Sequence, residues 1–318
     1  MSLHGLIAAV HTPFDTSAEL SLSVVELQQQ VLLNQGVAGV FVCGSTGESH
    51  SLSLDERMAL ANRWAATSKG TALQLIIHVG SNCLRDAQGL ARHAASLNAH
   101  AISAQAPSYF RPRSAAELCD WCQQIAAAAP GTPFYFYDIP VMTGVQLSMP
   151  ELLDLASTRI PNFAGLKFTN SDLMSFQLCQ RAHGGRFDIA FGIDEMLLAA
   201  AVLGARGAVG SSYNFAAPIY LDILAQLDAG NLAAAREHQF RSVQLIRLLA
   251  STGYMAAARE VMGLLGAPVG PPRLPNSRLD DAARSNLRAQ LEILGFFDWI
   301  RRSPAAATTT AAAATRQP

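Results

Sequence analysis

Lys167 is the residue of this chain that points most directly to chemistry. The sequence contains only two lysines and otherwise relies on arginine for permanent positive charge. Lys167 lies in the short apolar run FAGLKFT, whose composition is typical of a strand. Burial of an ammonium group is costly and lowers its pKa, and a neutral lysine amine can form Schiff bases with carbonyl compounds. Lys167 is therefore a candidate nucleophile for covalent aldol chemistry, and a solvent-facing lysine at a strand edge is the alternative.

Eight short apolar runs alternate with longer segments of helical period. Their nearly continuous apolar content is typical of parallel strands that are buried on both faces. Eight strand–helix units within about 215 residues predict a (β/α)8 TIM barrel, an α/β fold. A doubly wound open sheet is the main competitor, but the count of eight and the lack of a GxGxxG motif after the first run favour the barrel. The runs are 6–10, 37–43, 73–79, 99–105, 133–138, 163–168, 187–191 and 207–211.

The chain is interpreted as one domain with a tail. Residues 1–215 are predicted to form the barrel core, and residues 216–300 the last barrel helix and a C-terminal helical extension. Gly230 is a predicted helix C′ residue, and Asn231 can cap the next helix. Residues 303–318 are rich in Ala and Thr and are predicted to be disordered.

Composition excludes several classes of partner. The net charge is −1 and no basic tract is present, so neither nucleic acid nor an anionic membrane is an expected partner. Apolar stretches are interrupted well before the ~18 residues of a membrane span, and the N-terminus lacks the basic region of a secretory leader. We therefore expect a cytoplasmic protein that acts on a small molecule.

Cysteine and histidine do not form the patterns of a metal or redox site. Five cysteines at irregular spacing suit a reducing compartment. Cys119 and Cys122 form a C-x-x-C, but the surrounding ELCDWCQQIAAAA predicts a helix on which the two residues simply share a face. The eight histidines are dispersed, without H-x-x-x-H or H-E-x-x-H. Aldol chemistry through lysine is thus favoured over aldol chemistry through a metal ion.

The working residues of a TIM barrel gather at the C-terminal ends of its strands, and six of the eight predicted strand ends carry polar groups. The Gly-Ser-Thr-Gly turn with Ser45 and Thr46 could hold a carboxylate. A phenol at Tyr137 could relay a proton, since its strand neighbours that of Lys167. Asp194 and Glu195 could bind polyol hydroxyls or cap the next helix. Each motif also has an ordinary structural explanation, and we expect Glu48 to start a helix rather than to contact a substrate.

Together these motifs resemble those of the pyruvate-dependent class I aldolase superfamily, which includes N-acetylneuraminate lyases and dihydrodipicolinate synthases. The resemblance extends over about residues 3 to 300. Each motif alone is weak, whereas the ordered set on the strand ends is specific. The motifs are GSTGE at 44–48, YDIP at 137–140, GLKFTNSDL at 165–173, GIDE at 192–195 and GAVGSSYN at 207–214.

The lyase branch is the better match. Its K-x-T-x-x-D pattern is present at Lys167, Thr169 and Asp172, and its G-x-D-E pattern at Gly192, Asp194 and Glu195. The resemblance implies that the Asp-Glu pair and Ser211 hold the polyhydroxy tail of a sialic acid. The synthases carry an arginine shortly after the tyrosine-proline motif, where this chain has Val-Met-Thr at 141–143. Asp138 and Ser212 replace the commoner Asn and Thr.

The resemblance implies an aldolase that cleaves N-acetylneuraminate to pyruvate and N-acetylmannosamine. It uses a covalent Schiff base on Lys167 and no cofactor or metal. It also implies that Tyr109 reaches into a neighbouring subunit's site, in a homotetramer. One alternative is the same chemistry on another 2-oxo acid: a sugar acid, 4-hydroxy-2-oxoglutarate or the dihydrodipicolinate substrate. Another is a non-catalytic sugar-acid sensor, which would not need Lys167 or Tyr137.

Overall fold

The computed structural model describes residues 2–301, and its centre is a closed barrel of eight parallel strands. Each strand pairs with the next along the chain, and the last closes the barrel on the first through pairs such as Leu6 with Ala208. The predicted TIM barrel is confirmed and the open sheet is excluded. The strands are β1 Gly5–Ala9, β2 Gly39–Val42, β3 Gln74–His78, β4 Ala101–Gln105, β5 Phe134–Asp138, β6 Phe163–Phe168, β7 Asp188–Phe191 and β8 Gly207–Gly210.

Helices surround the barrel and continue beyond it. Their sequences start and stop as the local signals predict: Asn231 accepts a hydrogen bond from the Ala234 N–H at 3.3 Å, and Gly230 takes a positive φ of 74°. The helices are α1 Val25–Gln35, α2 Leu54–Ser68, α3 Leu84–Ser96, α4 Ala115–Ala126, α5 Pro140–Thr143, α6 Met149–Arg159, α7 Leu173–Arg181, α8 Leu197–Val202, α9 Tyr213–Asp228, α10 Leu232–Thr252, α11 Tyr254–Leu264, α12 Asp281–Leu294 and α13 Phe296–Trp299.

The last barrel helix starts earlier than residue 216, because α9 begins at Tyr213 and runs through an irregular turn at Ala216. Helices α10 to α13 form the extension. Cys119 and Cys122 both lie on the buried side of α4, as expected from their helical spacing. No helix between residues 2 and 301 has the length and apolarity needed to cross a membrane. The tail predicted at 303–318 lies outside the described residues.

Side-chain alternation along the strands determines what faces the barrel interior. Tyr135 and Tyr137 belong to the inner apolar cluster, whereas Phe134 and Phe136 pack outward against the helices. Strand β6 pairs in register with β5, so that Lys167 stands beside Tyr137. The same register directs Asp138 outward beside Phe168.

Candidate active site

A cavity of about 490 Å³ opens at the C-terminal ends of the strands. Every predicted site residue except Tyr109 lines it. The structure thereby brings together side chains that are up to 166 positions apart in sequence, from Ser45 to Ser211. The set consists of Ser45, Thr46, Tyr137, Lys167, Thr169, Gly192, Asp194, Glu195 and Ser211.

Lys167 lines this cavity from a position that is shielded from solvent. Its side chain is only 3% exposed, and its Nζ lies 4.0 Å from the ring centroid of Phe41 and 3.8 Å from that of Tyr137. Burial lowers the pKa of Lys167 to about 7, and the negative charge of Asp194 only partly opposes this shift. A substantial fraction of the amine is therefore neutral and nucleophilic near neutral pH.

Tyr137 supplies a phenol next to that amine. Its hydroxyl lies 3.4 Å from the Oγ of Ser45. Burial raises the pKa of Tyr137 to about 12, although the hydroxyls of Ser45 and Thr169 favour the ionised form. Tyr137 consequently keeps its proton at neutral pH and can donate it to a departing hydroxyl group.

The loop that carries Ser45 and Thr46 is held from two sides. The Nδ1–H of His78 donates to the Cys43 carbonyl oxygen at 2.7 Å, and Cys43 itself has an unusual positive φ of 59°. The Thr12 hydroxyl donates to the Gly47 carbonyl oxygen at 2.6 Å. Both contacts fix a turn whose hydroxyl groups face the cavity, as a carboxylate-binding turn requires.

Glu48 directly precedes a short 3-10 helix at Ser49–Ser51, but its side chain makes no capping hydrogen bond there. Helix α2 starts at Leu54 and is capped by Ser53. Glu48 is buried instead, and its Oε1 accepts from the Nε of Arg259 at 3.0 Å and from the Nη2 at 2.5 Å. The local sequence predicted a helix-starting carboxylate. The side chain instead pairs with the buried guanidinium group that α11 brings against this turn, because a buried charge must be paired.

Asp194 occupies a buried position at the other side of the cavity. Its Oδ2 accepts from the backbone N–H of Ser212 at 2.8 Å and from the Ser212 hydroxyl at 2.5 Å. Burial raises the pKa of Asp194 to about 6, against the stabilising effect of the two Ser212 donors. The carboxylate thus spans from β7 to β8 and does not cap the short helical turn that it begins.

Two glycines provide the space for these polar groups. A Cβ at Gly210 would lie 1.8 Å from the Asp194 Oδ1, and a Cβ at Gly192 would lie 1.9 Å from the Thr169 Oγ1. Both distances are far below van der Waals contact, so only glycine permits these close approaches. Glu195 follows at the exposed rim of the same cavity.

Sequence reasoning missed Phe41, whose ring contacts the amine, and three lining residues from the extension, Ile246, Tyr254 and Met255. Phe41 could have been found from the strand alternation of β2, since it faces inward. The other three belong to α10 and α11 and have no motif, so no local signal marks them.

Two residues singled out in the sequence lie elsewhere. The side chain of Tyr109 is 80% exposed and packs edge-on against Phe110. Asp138 lines a separate outer pocket and accepts from the amide of Asn170 at 3.2 Å. The presence of Asp instead of the commoner Asn at position 138 therefore does not alter the cavity lining.

The cavity lining carries little positive charge. Among the described residues that line it, Lys167 is the only lysine or arginine. The segment after Pro140 contributes the uncharged side chains of Val141 and Met142 to the lining. No group of three or more His, Cys, Asp or Glu residues within 2–301 could hold a metal ion. The site thus combines one reactive amine, one phenol, hydroxyl groups and two carboxylates.

Comparison with known proteins agrees with this geometry. The model of the dihydrodipicolinate synthetase family matches residues 2–294. The chain belongs to this family. It is 39% identical to the N-acetylneuraminate lyase of Rattus norvegicus, over 93% of this chain and 94% of the relative.

Two solved structures of this family have nearly the same fold. The N-acetylneuraminate lyase of Proteus mirabilis superimposes with a TM-score of 0.90 at 38% identity, over 93% of this chain and all of that one. The N-acetylneuraminate lyase of Aliivibrio salmonicida gives a TM-score of 0.90 at 40% identity, over 93% and 98% of the two chains. The residues matched by the family model, 2–294, include every residue that lines the cavity.

Proposed function

We propose that this protein is a class I aldolase that cleaves N-acetylneuraminate reversibly to pyruvate and N-acetylmannosamine. The observation that carries the proposal is the pair formed by Lys167 and Tyr137. A buried amine with a pKa near 7 stands beside a protonated phenol, and carboxylates and hydroxyls for a polyol lie across the same cavity. The relatives named above carry the same activity in their names.

The reaction begins with addition of the neutral Lys167 amine to the C2 ketone of the open-chain substrate. The carbinolamine that forms loses its hydroxyl as water when Tyr137 donates a proton, which leaves an iminium ion and a phenolate. The phenolate then takes the proton of the C4 hydroxyl, and the C3–C4 bond breaks as its electron pair moves to the iminium. The products of this step are an aldehyde, N-acetylmannosamine, and the enamine of pyruvate on Lys167.

Release of pyruvate reverses the first steps. Tyr137 donates its proton to C3 of the enamine, and water adds to the resulting iminium. The added water gives one proton to the Tyr137 phenolate, and the carbinolamine then collapses to free Lys167 and pyruvate. The iminium serves as the electron sink, and the mechanism therefore needs neither a cofactor nor a metal ion.

The remaining residues bind and orient the substrate. Ser45 and Thr46 hold the substrate carboxylate, while Thr169, Asp194, Glu195 and Ser211 contact its hydroxyl groups, with Gly192 providing room. A substrate with a second carboxylate would find no cation and would face two acidic side chains, which disfavours the dihydrodipicolinate reaction. A non-catalytic sensor would have no use for the Lys167–Tyr137 pair.

The decisive experiment is chemical trapping. The protein is incubated with pyruvate and borohydride, and the reduced adduct is located by peptide mass spectrometry, with N-acetylneuraminate as a parallel substrate. We expect a pyruvyl adduct on Lys167, its loss in Lys167→Ala, and release of N-acetylmannosamine by the unmodified protein. An adduct without release of that sugar would direct the search to other 2-oxo acids. Absence of any adduct would refute the aldolase mechanism.

We further propose a homotetramer in which Tyr109 reaches a neighbouring subunit's site. Support comes from exposed apolar side chains. Val141 and Met142, which line the cavity, are 84% and 67% exposed, and Tyr109 and Phe110, which contact each other, are 80% and 85% exposed. A patch of this kind is typical of an interface between subunits. Light scattering should give four chains per particle, and Tyr109→Phe should lower the cleavage rate without changing that mass. A fully active monomer would contradict both points.

We propose a cytoplasmic location for the enzyme. All five cysteines are free thiols, and four of them are buried. This arrangement suits a reducing compartment, where disulfides neither form nor contribute to stability. Fractionation of the source cells, followed by immunodetection, tests the assignment directly, and recovery of the protein with the extracellular material would contradict it.

A further inference from the structure

Tyr254 is the first residue of α11 and brings a phenol from the helical extension into the cavity. Its hydroxyl lies 2.5 Å from the Oγ of Ser211 at the end of β8. Both Asp194 and Glu195 are near enough to raise the pKa of Tyr254, in addition to the larger effect of burial. Tyr254 therefore lies beside Ser211, Asp194 and Glu195, three of the side chains that contact the substrate hydroxyl groups in the proposed function.

The hydrogen-bonding groups of Tyr254, Ser211, Asp194 and Glu195 suit a polyol better than a 2-oxo acid without hydroxyl groups. The carboxylates of Asp194 and Glu195 can only accept hydrogen bonds, and one oxygen of Asp194 is already occupied by Ser212. The Ser211–Tyr254 pair has two hydroxyl protons. One is used between the two oxygens, which leaves one donor and free lone pairs for a ligand. A tail hydroxyl that donates to a carboxylate can therefore accept from this pair.

Tyr254 belongs to the part of the cavity lining that the helical extension contributes. The apolar residues of this part are Ile246 and Met255. Lys167 on β6 and Tyr137 on β5 perform the bond cleavage, and neither has a hydrogen bond to Tyr254 among the described residues. A change at Tyr254 should thus affect recognition of the tail and leave Schiff-base formation intact.

We propose that Tyr254 is a specificity-determining residue that contacts the terminal hydroxyl groups of the substrate through its phenol, in concert with Ser211. This inference rests on the proposed function, because the tail in question is that of a sialic acid. It assigns part of the substrate selectivity to the helical extension, which has no side chain in the bond-breaking chemistry.

The test compares Tyr254→Phe with the unmodified protein on two substrates. One is N-acetylneuraminate, which has the polyol tail, and the other is 4-hydroxy-2-oxobutyrate, a 2-oxo acid without a tail that needs the same bond cleavage. We expect kcat/KM for N-acetylneuraminate to fall about 10-fold, as for the loss of one hydrogen bond to a ligand, with no comparable fall for the short substrate. Ser211→Ala combined with Tyr254→Phe should cost less than the product of the two single effects.

Tyr213→Phe is the matched control. The Tyr213 hydroxyl is buried close to Tyr254 but has no hydrogen-bonding partner among the described residues, and it does not line the cavity. Removal of this hydroxyl should leave the ratio of the kcat/KM values for the two substrates unchanged. An equal loss of kcat/KM on both substrates in Tyr254→Phe would indicate a purely structural role and overturn the inference. Unchanged kcat/KM on both substrates would overturn it as well.

The failure of the proposed function has a different signature. In that case the unmodified protein itself would not release N-acetylmannosamine. Borohydride trapping of pyruvate on Lys167 in Tyr254→Phe provides the remaining check, because an intact adduct shows that the variant folds and retains the amine chemistry.

Discussion

Lys167 and Tyr137 are directly paired in the β5–β6 register, and the Nζ of the lysine lies 3.8 Å from the centroid of the tyrosine ring. The Phe41 ring contacts the same amine at 4.0 Å. Ammonium ions are attracted to aromatic faces, yet the two rings also exclude the water that would solvate the charge. Desolvation outweighs this attraction, and the pKa of Lys167 is therefore lowered to about 7.

The pH dependence of kcat/KM should report this amine. Only the neutral form attacks the ketone, so we expect the rate to rise about tenfold per pH unit at low pH and to level off above about pH 7. Deprotonation of Tyr137, with its pKa near 12, should not limit the rate below pH 10. Steady-state kinetics from pH 5 to 10 provide the measurement. A rise centred near pH 10 would mean that the lysine is solvated.

The same shift predicts a stability cost. The pKa of Lys167 is about 7 in the folded state and near 10.5 in the unfolded chain, so the penalty of burying the amine is fully present below pH 7. As the pH rises from 7 to 10.5, the unfolded state alone binds the proton, and the folded protein gains stability. We expect Lys167→Met to raise the free energy of unfolding by roughly 2–5 kcal/mol at pH 6. Denaturant titrations at pH 6 and pH 10 should show this advantage shrink, and an equal effect at both values would contradict it.

The buried Glu48–Arg259 pair should hold the extension onto the barrel. Both side chains are almost fully buried, and the guanidinium also donates to the carbonyl oxygens of Thr12 and Val269. Glu48→Leu or Arg259→Leu should each cost about 3–5 kcal/mol because a buried charge loses its partner. The double variant should cost less than the sum of the two.

An exposed pair provides the control for that experiment. Arg288 and Glu292 on α12 are 64% and 56% exposed, and their Nε–Oε1 distance is 3.1 Å. Arg288→Leu should change the thermal midpoint very little, as is usual for solvated ion pairs. Comparable losses for Arg259→Leu and Arg288→Leu would show that burial of the first pair does not matter.

Gly210→Ala should impair catalysis through Asp194. The added Cβ would overlap the Oδ1 of Asp194, which must move and thereby loses its fixed place beside Ser212. We expect at least a 10-fold lower kcat/KM for N-acetylneuraminate, with a protein that still folds. The matched variant is Gly89→Ala in α3, where nothing lies within 4 Å of the new Cβ. It should be fully active and slightly more stable, by about 0.5–1 kcal/mol, because glycine is unfavourable inside a helix.

Much of the architecture was predictable because its signals are local. Each of the eight apolar runs became a strand, since the continuous burial of parallel strands leaves its mark within a few residues. Barrel closure then places all the strand ends on one face. For this reason Ser45, Tyr137, Lys167 and Asp194 could be assigned to one site before any contact was known.

The tertiary structure alone decided which distant groups complete that site. Glu48 resembles a helix-starting residue locally, but its partner Arg259 lies 211 positions away. Tyr254 has no motif, and only the packing of α11 against the barrel mouth brings its phenol to Ser211. The sequence by itself determined the strands, their order and the reactive pair. Long-range packing determined the exclusion of water from Lys167 and the part of the cavity lining that comes from the extension. Burial and hydrogen bonding between distant segments have no local sequence pattern.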